Sequence, residues 1–163
     1  MKKTLLFAFL LMALGASAQS TLTTFILVRH AEKKADGSKN PELTEEGEKR
    51  AQNLVTLLQN TPVAAVYSTD YIRTRSTVEP LATTRSLPVK TYEPFKKEPI
   101  DKMLTEYAGK TVVICGHSNN IPWIANYLQG TESIKDFADT DYGNMLILTV
   151  TTAGHASVTW LRF

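Results

Sequence analysis

The sequence predicts an α/β fold: a three-layer sandwich with a mainly parallel central sheet, helices on both faces and a C-terminal antiparallel hairpin. Two observations predict it. Short apolar runs rich in β-branched residues alternate with longer amphipathic segments, the pattern of strands joined by helical crossovers. The end of the chain departs from it: "NMLILTVTTAGHASVTWLRF" reads as two strands joined by a turn at Ala153-Gly154, which adds antiparallel strands to the sheet.

The first segment stands outside this pattern. Lys2 and Lys3 precede an apolar run from Leu5 to Leu14, and Ala16-Ser17-Ala18 supplies the small residues of a cleavage site. Residues 1–18 therefore read as a signal peptide and residues 19–163 as one exported domain, periplasmic or secreted. The apolar run is too short to span a bilayer comfortably, and no stable membrane anchor is expected after cleavage.

The domain's elements follow in order. "TFILVR" (24–29) is the first strand. Residues 44–59 have helical spacing, with Ala51, Leu54, Val55 and Leu58 on one face, Thr44 as N-cap and acidic residues in the first turn. "VAAVY" (63–67) is the second strand, and a helix runs from about residue 70 to 86. "PVKTY" (88–92) is the third strand, followed by a short helix over 100–107. "KTVVICG" (110–116) is the fourth strand. The helix after "GHSNN" has Ile121, Trp123, Ile124, Tyr127 and Leu128 as its apolar residues, accommodates Pro122 in its first turn and takes Ser118 as its cap.

Charge excludes some partners. Lys and Arg number 18 against 16 Asp and Glu, and the excess is the two leader lysines. A balanced domain gives no electrostatic reason to expect nucleic acid or anionic lipid. Cys115 is alone, so no disulfide framework exists, and inside "KTVVICGHS" it reads as a core residue. Oligomeric state leaves no mark.

Chemistry gathers after the strands. His30, Ser68–Asp70, Glu93 and His117 each come directly after a predicted strand, which sends them to the rim where open α/β sheets bind ligands. "FILVRHAEKK" places Arg29 and His30 directly against an apolar run, where their desolvation needs a partner. A phosphoryl group is such a partner. Arginine forks, here Arg29 and Arg73, bind its oxygens through paired charge-assisted bonds. A neutral imidazole is a competent nucleophile, and Arg29 beside His30 disfavours protonation of the ring. His117, ahead of a helix N-terminus, can stabilise charge with its N–H.

"VRHAE", "LTEEGEKRA", "YSTDYIRTRST" and "CGHSNN" resemble, in order, the signature segments of the histidine phosphatase superfamily, the phosphoglycerate mutase-like fold. The resemblance implies a phosphatase of a phosphomonoester or a phosphohistidine, acting through a phosphohistidine intermediate on His30. Arg29, Arg73 and His117 would form the phosphate pocket, and no metal or other cofactor would be needed. Ala31 stands where the motif often has glycine. The chain lacks the long insertions of the mutases and resembles the small phosphatases, so its expected partner is a small phosphorylated substrate. The general acid is not fixed by spacing: Glu93 is preferred, with Glu98 and Asp101 as rivals. Two lysine-bearing loops, 33–41 and 94–102, suit a second anionic group.

Three alternatives compete. "GHSNN" resembles the nucleophile elbow of serine hydrolases, with Ser118 followed by Asp139 or Asp141 and His155, although Asn120 stands where the turn wants glycine. His155, in the hairpin turn, is otherwise expected to face solvent. His30, Glu32 and His117 could ligate a metal, but the arginines would repel it. A catalytically inactive module that only binds a phospho-ligand is the third. Glu32 is otherwise expected to pair an arginine.

Overall fold

The computed structural model describes residues 21–163; the expected signal peptide lies outside them. Ten elements succeed one another: β1 (Thr23–Arg29), α1 (Glu45–Leu57), β2 (Val63–Ser68), α2 (Ile72–Thr84), β3 (Val89–Thr91), α3 (Lys97–Glu106), β4 (Thr111–Gly116), α4 (Asn120–Gln129), β5 (Asn144–Thr152) and β6 (His155–Arg162). They form one six-stranded sheet in the order β3-β2-β4-β1-β5-β6. β1 to β4 are mutually parallel, and β5 joins β1 antiparallel with β6 outside it. The fold is the predicted sandwich.

Alternation along the strands divides the core in two. Phe25 and Leu27, with Ala65, Tyr67, Val112 and Ile114, face α3 and α4. Ile26 and Val28, with Val66, Val113 and Cys115, face α1 and α2. Burial on both faces is why these strands read as continuous apolar runs. Cys115 is fully buried, and desolvation pushes its thiol well above the ordinary range, so it is a core residue as expected.

Topology places the site. The connections from β1 to β2 and from β2 to β3 run one way along the sheet, over the face carrying α1 and α2. The return from β3 to β4 uses α3 on the other face, as a single crossover handedness requires. β1 and β4 are neighbours whose chains depart to opposite faces, and the crevice at such a switch point is the usual ligand position. Arg29 pairs with Gly116 in register, so His30 and His117 leave adjacent strands at the same level.

Local chemistry sets the ends of α1. Thr44 Oγ1 accepts from Gly47 N at 3.1 Å, the predicted cap. The helix then presses on the turn after β1: a Cβ at Gly47 would lie 2.3 Å from the Glu32 carbonyl oxygen. α4 corrects an expectation. Its cap position is Asn119, with no side-chain cap bond, so Ser118 does not cap it. Instead the Ser118 carbonyl accepts from Phe137 N at 2.9 Å.

Candidate active site

His30 and His117 meet with ring centroids 5.5 Å apart, edge to face. His30 is almost wholly buried, and its backbone N–H donates to the Gly116 carbonyl at 2.9 Å. Its Nδ1 lies 2.8 Å from the Ala31 carbonyl. A carbonyl only accepts, so Nδ1 carries the proton and Nε2 keeps its lone pair. Burial first, then the charges of Arg29 and Arg73, hold the His30 pKa down at about 3. The same causes put His117 at about 4. Both rings are neutral at ordinary pH.

The turn that carries His30 is tied to α2. Ala31 N donates to Thr77 Oγ1 at 2.9 Å, and that hydroxyl donates to the Arg73 carbonyl at 2.7 Å. "RTRST" thus has two functions one helical turn apart: Thr77 holds the turn that carries His30 and Arg73 enters the site. Ala31 is fully buried there.

The two arginines differ. Arg29 donates through Nη1 to the carbonyls of Ala138 (2.6 Å) and Asp141 (3.2 Å), and through Nη2 to that of Asp139 (3.0 Å). The loop before β5 thus engages both terminal nitrogens of the fork, and the guanidinium stacks on Tyr142 at 4.5 Å. Arg73 stacks on Tyr71 at 4.4 Å. Its one side-chain hydrogen bond among the described residues is long, 3.4 Å from Nη2 to His117 Nδ1. Both Nε atoms are buried without a partner among the described residues. Nor does either guanidinium join a carboxylate there: Glu32 pairs with Arg50 instead, at 2.5 Å. Burial lowers both arginine pKa values without discharging them. Two neighbouring cations, desolvated and with no carboxylate at ion-pair distance among the described residues, make a site for an anion.

His117 is held from both sides. Its backbone N–H donates to Asn120 Oδ1 at 2.6 Å, and Asn120 Nδ2 donates to Tyr92 Oη at 3.2 Å. Its Nε2 lies 3.0 Å from Thr69 Oγ1, which donates onward to Thr74 Oγ1, which in turn donates to backbone carbonyls. This relay puts the ring proton on Nε2 and leaves Nδ1 to accept from Arg73. The predicted N–H of His117 therefore faces Thr69.

Sequence reasoning placed Thr69 on the rim within Ser68–Asp70 but gave it no role, and it missed Tyr71, Thr77, Asn120 and Tyr142 as site residues. The spacing of Thr77 four residues after Arg73 was a usable signal. The Asn120 contact explains Gly116, where a Cβ would lie 2.4 Å from Asn120 Oδ1 and 2.7 Å from Tyr92 Oη. Gly116→Ala is expected to cost about 1–3 kcal/mol by overpacking and to lower turnover by displacing His117. Thermal melts and kinetics on one preparation check both.

The acid candidates lie further out. Glu93 is exposed two residues past β3, on the same rim, and makes no hydrogen bond among the described residues. Glu98 is exposed on the first turn of α3. Asp101 Oδ1 accepts from Tyr127 Oη at 2.6 Å and is thereby occupied.

The rivals lose their geometry. Val28 pairs with Met145 and Thr23 with Val150, so the β5–β6 turn lies at the rim opposite the histidines. His155, exposed there as expected, cannot serve Ser118. Glu32 is committed to Arg50, and no cluster of three metal-ligating side chains occurs among the described residues.

Comparison with known proteins agrees with this geometry. The family description "Histidine phosphatase superfamily (branch 1)" matches residues 25–98, which hold Arg29, His30 and Arg73. Over those residues the chain matches the histidine phosphatase superfamily. Solved structures match its fold over most of its length. A mycobacterial glucosyl-3-phosphoglycerate phosphatase superposes with a TM-score of 0.68 at 12% identity, covering 86% of this chain and 99% of that one. The protein histidine phosphatase SixA complexed with tungstate gives 0.68 at 14%, covering 85% and 96%. A phosphoserine phosphatase from Entamoeba histolytica gives 0.67 at 16%, covering 86% and 97%. No curated protein sequence matches significantly.

The two rings make stability depend on pH. Both histidines have folded-state pKa values below the unfolded value near 6.5, so the unfolded chain binds more protons in the window between. Stability is therefore unaffected by these groups above about pH 6.5. It falls as pH drops toward 4, by about 1.4 kcal/mol per unit for each ring. Urea melts from pH 7 to 4.5 are expected to show this fall, with a shallower slope in His117→Gln.

Proposed function

We propose that this protein is an exported phosphatase that hydrolyses phosphomonoesters, or a phosphohistidine, through a phosphoryl group carried on His30 Nε2. The observation that carries the proposal is the His30 tautomer. The Ala31 carbonyl takes the Nδ1 proton and leaves Nε2 as a nucleophile beside two guanidiniums with buried, unpartnered Nε–H groups. Export rests on the apolar run 5–14 and its flanks. The tungstate complex of SixA offers a parallel for oxyanion binding.

In this scheme the substrate's phosphoryl oxygens take the free N–H donors of Arg73 and the Nε–H of Arg29. His30 Nε2 attacks phosphorus, the bond to the leaving oxygen breaks, and that oxygen takes a proton from Glu93. Water then attacks the phosphoryl group and gives a proton to Glu93, the N–P bond breaks, and phosphate leaves. A bound dianion favours the protonated form of His117. Arg73 then turns to phosphate, and the new Nδ1–H of His117 donates to the transferring group. The guanidiniums supply the positive charge that a metal would otherwise provide.

Hydrolysis of an aryl phosphate in EDTA tests the activity. Turnover is expected to survive chelation with a bell-shaped pH profile, and a flat profile from pH 5 to 9 would contradict these proton roles. Leaving-group dependence tests the acid. Glu93→Gln is expected to lose about 10²-fold or more on alkyl phosphates and far less on an aryl phosphate, whose oxygen leaves without a proton. Equal losses would remove Glu93 from the role.

A further inference from the structure

From Asn119, close in the chain to His117, a groove of about 1340 Å3 runs along α4 to Ala153 and Gly154 at the opposite rim, and phosphoryl transfer alone leaves it unexplained. Its floor includes Trp123 and Tyr127 of α4, with Phe95 and Lys97 from the entry to α3, and Lys135 and Asp136 from the loop after α4. Two of its lining residues are close in the chain to the phosphate site. Asn119, which also lines it, is two residues past His117, and Asp136 is two residues before Ala138, whose carbonyl holds Arg29.

The groove presents aromatic faces. Trp123 and Tyr127 stack at 13° with centroids 5.8 Å apart, and Phe95 meets Trp123 edge-on at 5.9 Å. Phe95 has φ 59° and is 49% exposed. A bulky residue in the left-handed region costs about 1–3 kcal/mol, and a half-exposed ring recovers little of that by burial. The contact with Trp123 sets the Phe95 ring edge-on at the groove despite that cost. Lys97 Nζ lies 5.3 Å from the Tyr127 centroid. Along the axis of α4, Trp123 is about 4.5 Å from Asn120 and Tyr127 about 10 Å. Trp123 and Phe95 are thus the rings nearer the phosphate, within reach of the group that an esterified phosphate carries.

We infer that the groove is the leaving-group subsite of the phosphatase, and that Phe95 and Trp123 stack on a heteroaromatic ring carried by the substrate, the chemistry of a nucleoside monophosphate. This rests on the phosphatase reading. Stacking supplies affinity, and Asp136 lies on the groove to accept from an exocyclic amino group on the ring.

The test compares AMP with glycerol phosphate, by kinetics on the full chain and by calorimetric binding to His30→Gln, which separates affinity from turnover. The wild type is expected to favour AMP by tenfold or more in kcat/KM. Trp123→Ala should lose about tenfold on AMP, mostly through KM, with glycerol phosphate unchanged. Phe95→Gly, whose backbone suits the left-handed region, should do the same without lowering Tm. Equal losses on both substrates, or no preference for AMP, would overturn the subsite. If nothing turns over, AMP binding that depends on Trp123 upholds the subsite and removes the phosphatase reading. Absence of AMP binding removes the subsite.

Discussion

His30→Gln is expected to reduce turnover of an aryl phosphate by about 10⁴-fold or more, the scale seen when an attacking group is lost. Glutamine keeps a polar group in the buried position and leaves the Ala31 N–H to Thr77 bond intact. The fold should survive, and Tm should hold or rise slightly at acid pH because one depressed titration is removed. Phosphate binding should persist, since Arg29, Arg73 and His117 remain. Kinetics beside calorimetry with inorganic phosphate check both. Turnover within about tenfold of the wild type would leave His30 as a ligand of the phosphate and no more.

Arg29→Met should have the second largest effect, in activity and stability together. Loss of its charge and of its Nε–H should lower kcat/KM by about 10²–10³-fold. It also removes three charge-assisted bonds to the carbonyls of Ala138, Asp139 and Asp141. Solvent re-satisfies part of that loop, so about 2 kcal/mol of stability should go, or about 4–8 °C in Tm. Arg73→Met separates the two roles. Among the described residues its guanidinium makes one long hydrogen bond, to His117, so turnover should fall similarly with little change in Tm. Matching Tm losses in both variants would show that the arginines serve folding alike.

The elements legible in the sequence are those with a local physical cause. Burial on both faces makes β1, β2 and β4 readable as apolar runs, and Thr44 marks the start of α1. Arg29, His30, Arg73 and His117 are legible because parallel strands deliver the residues after them to one rim. α3 begins at Lys97 rather than residue 100, because Lys96 at its cap position makes no side-chain cap bond that would mark the start. The hold on Arg29 is not legible at all, because the loop supplies backbone carbonyls, which every residue has. Serine suits a cap, which is why the sequence points to Ser118; the structure instead uses Asn120, whose amide bridges the His117 N–H and Tyr92. The two aromatic walls of the pocket differ in the same way. Tyr71 stands near Arg73 in the chain, so their stacking has a local signal, whereas Tyr142 reaches Arg29 only through the folded sheet.

Chemical trapping of the phosphoryl group tests the central claim most directly. Wild-type protein would be quenched during turnover of a radiolabelled phosphomonoester, then digested and mapped. Nucleophilic attack by His30 predicts label on the peptide containing that residue, stable in alkali and lost in acid, and none in His30→Gln. Steady turnover with no label on His30, or equal labelling of the glutamine variant, would contradict a phosphohistidine intermediate at this residue.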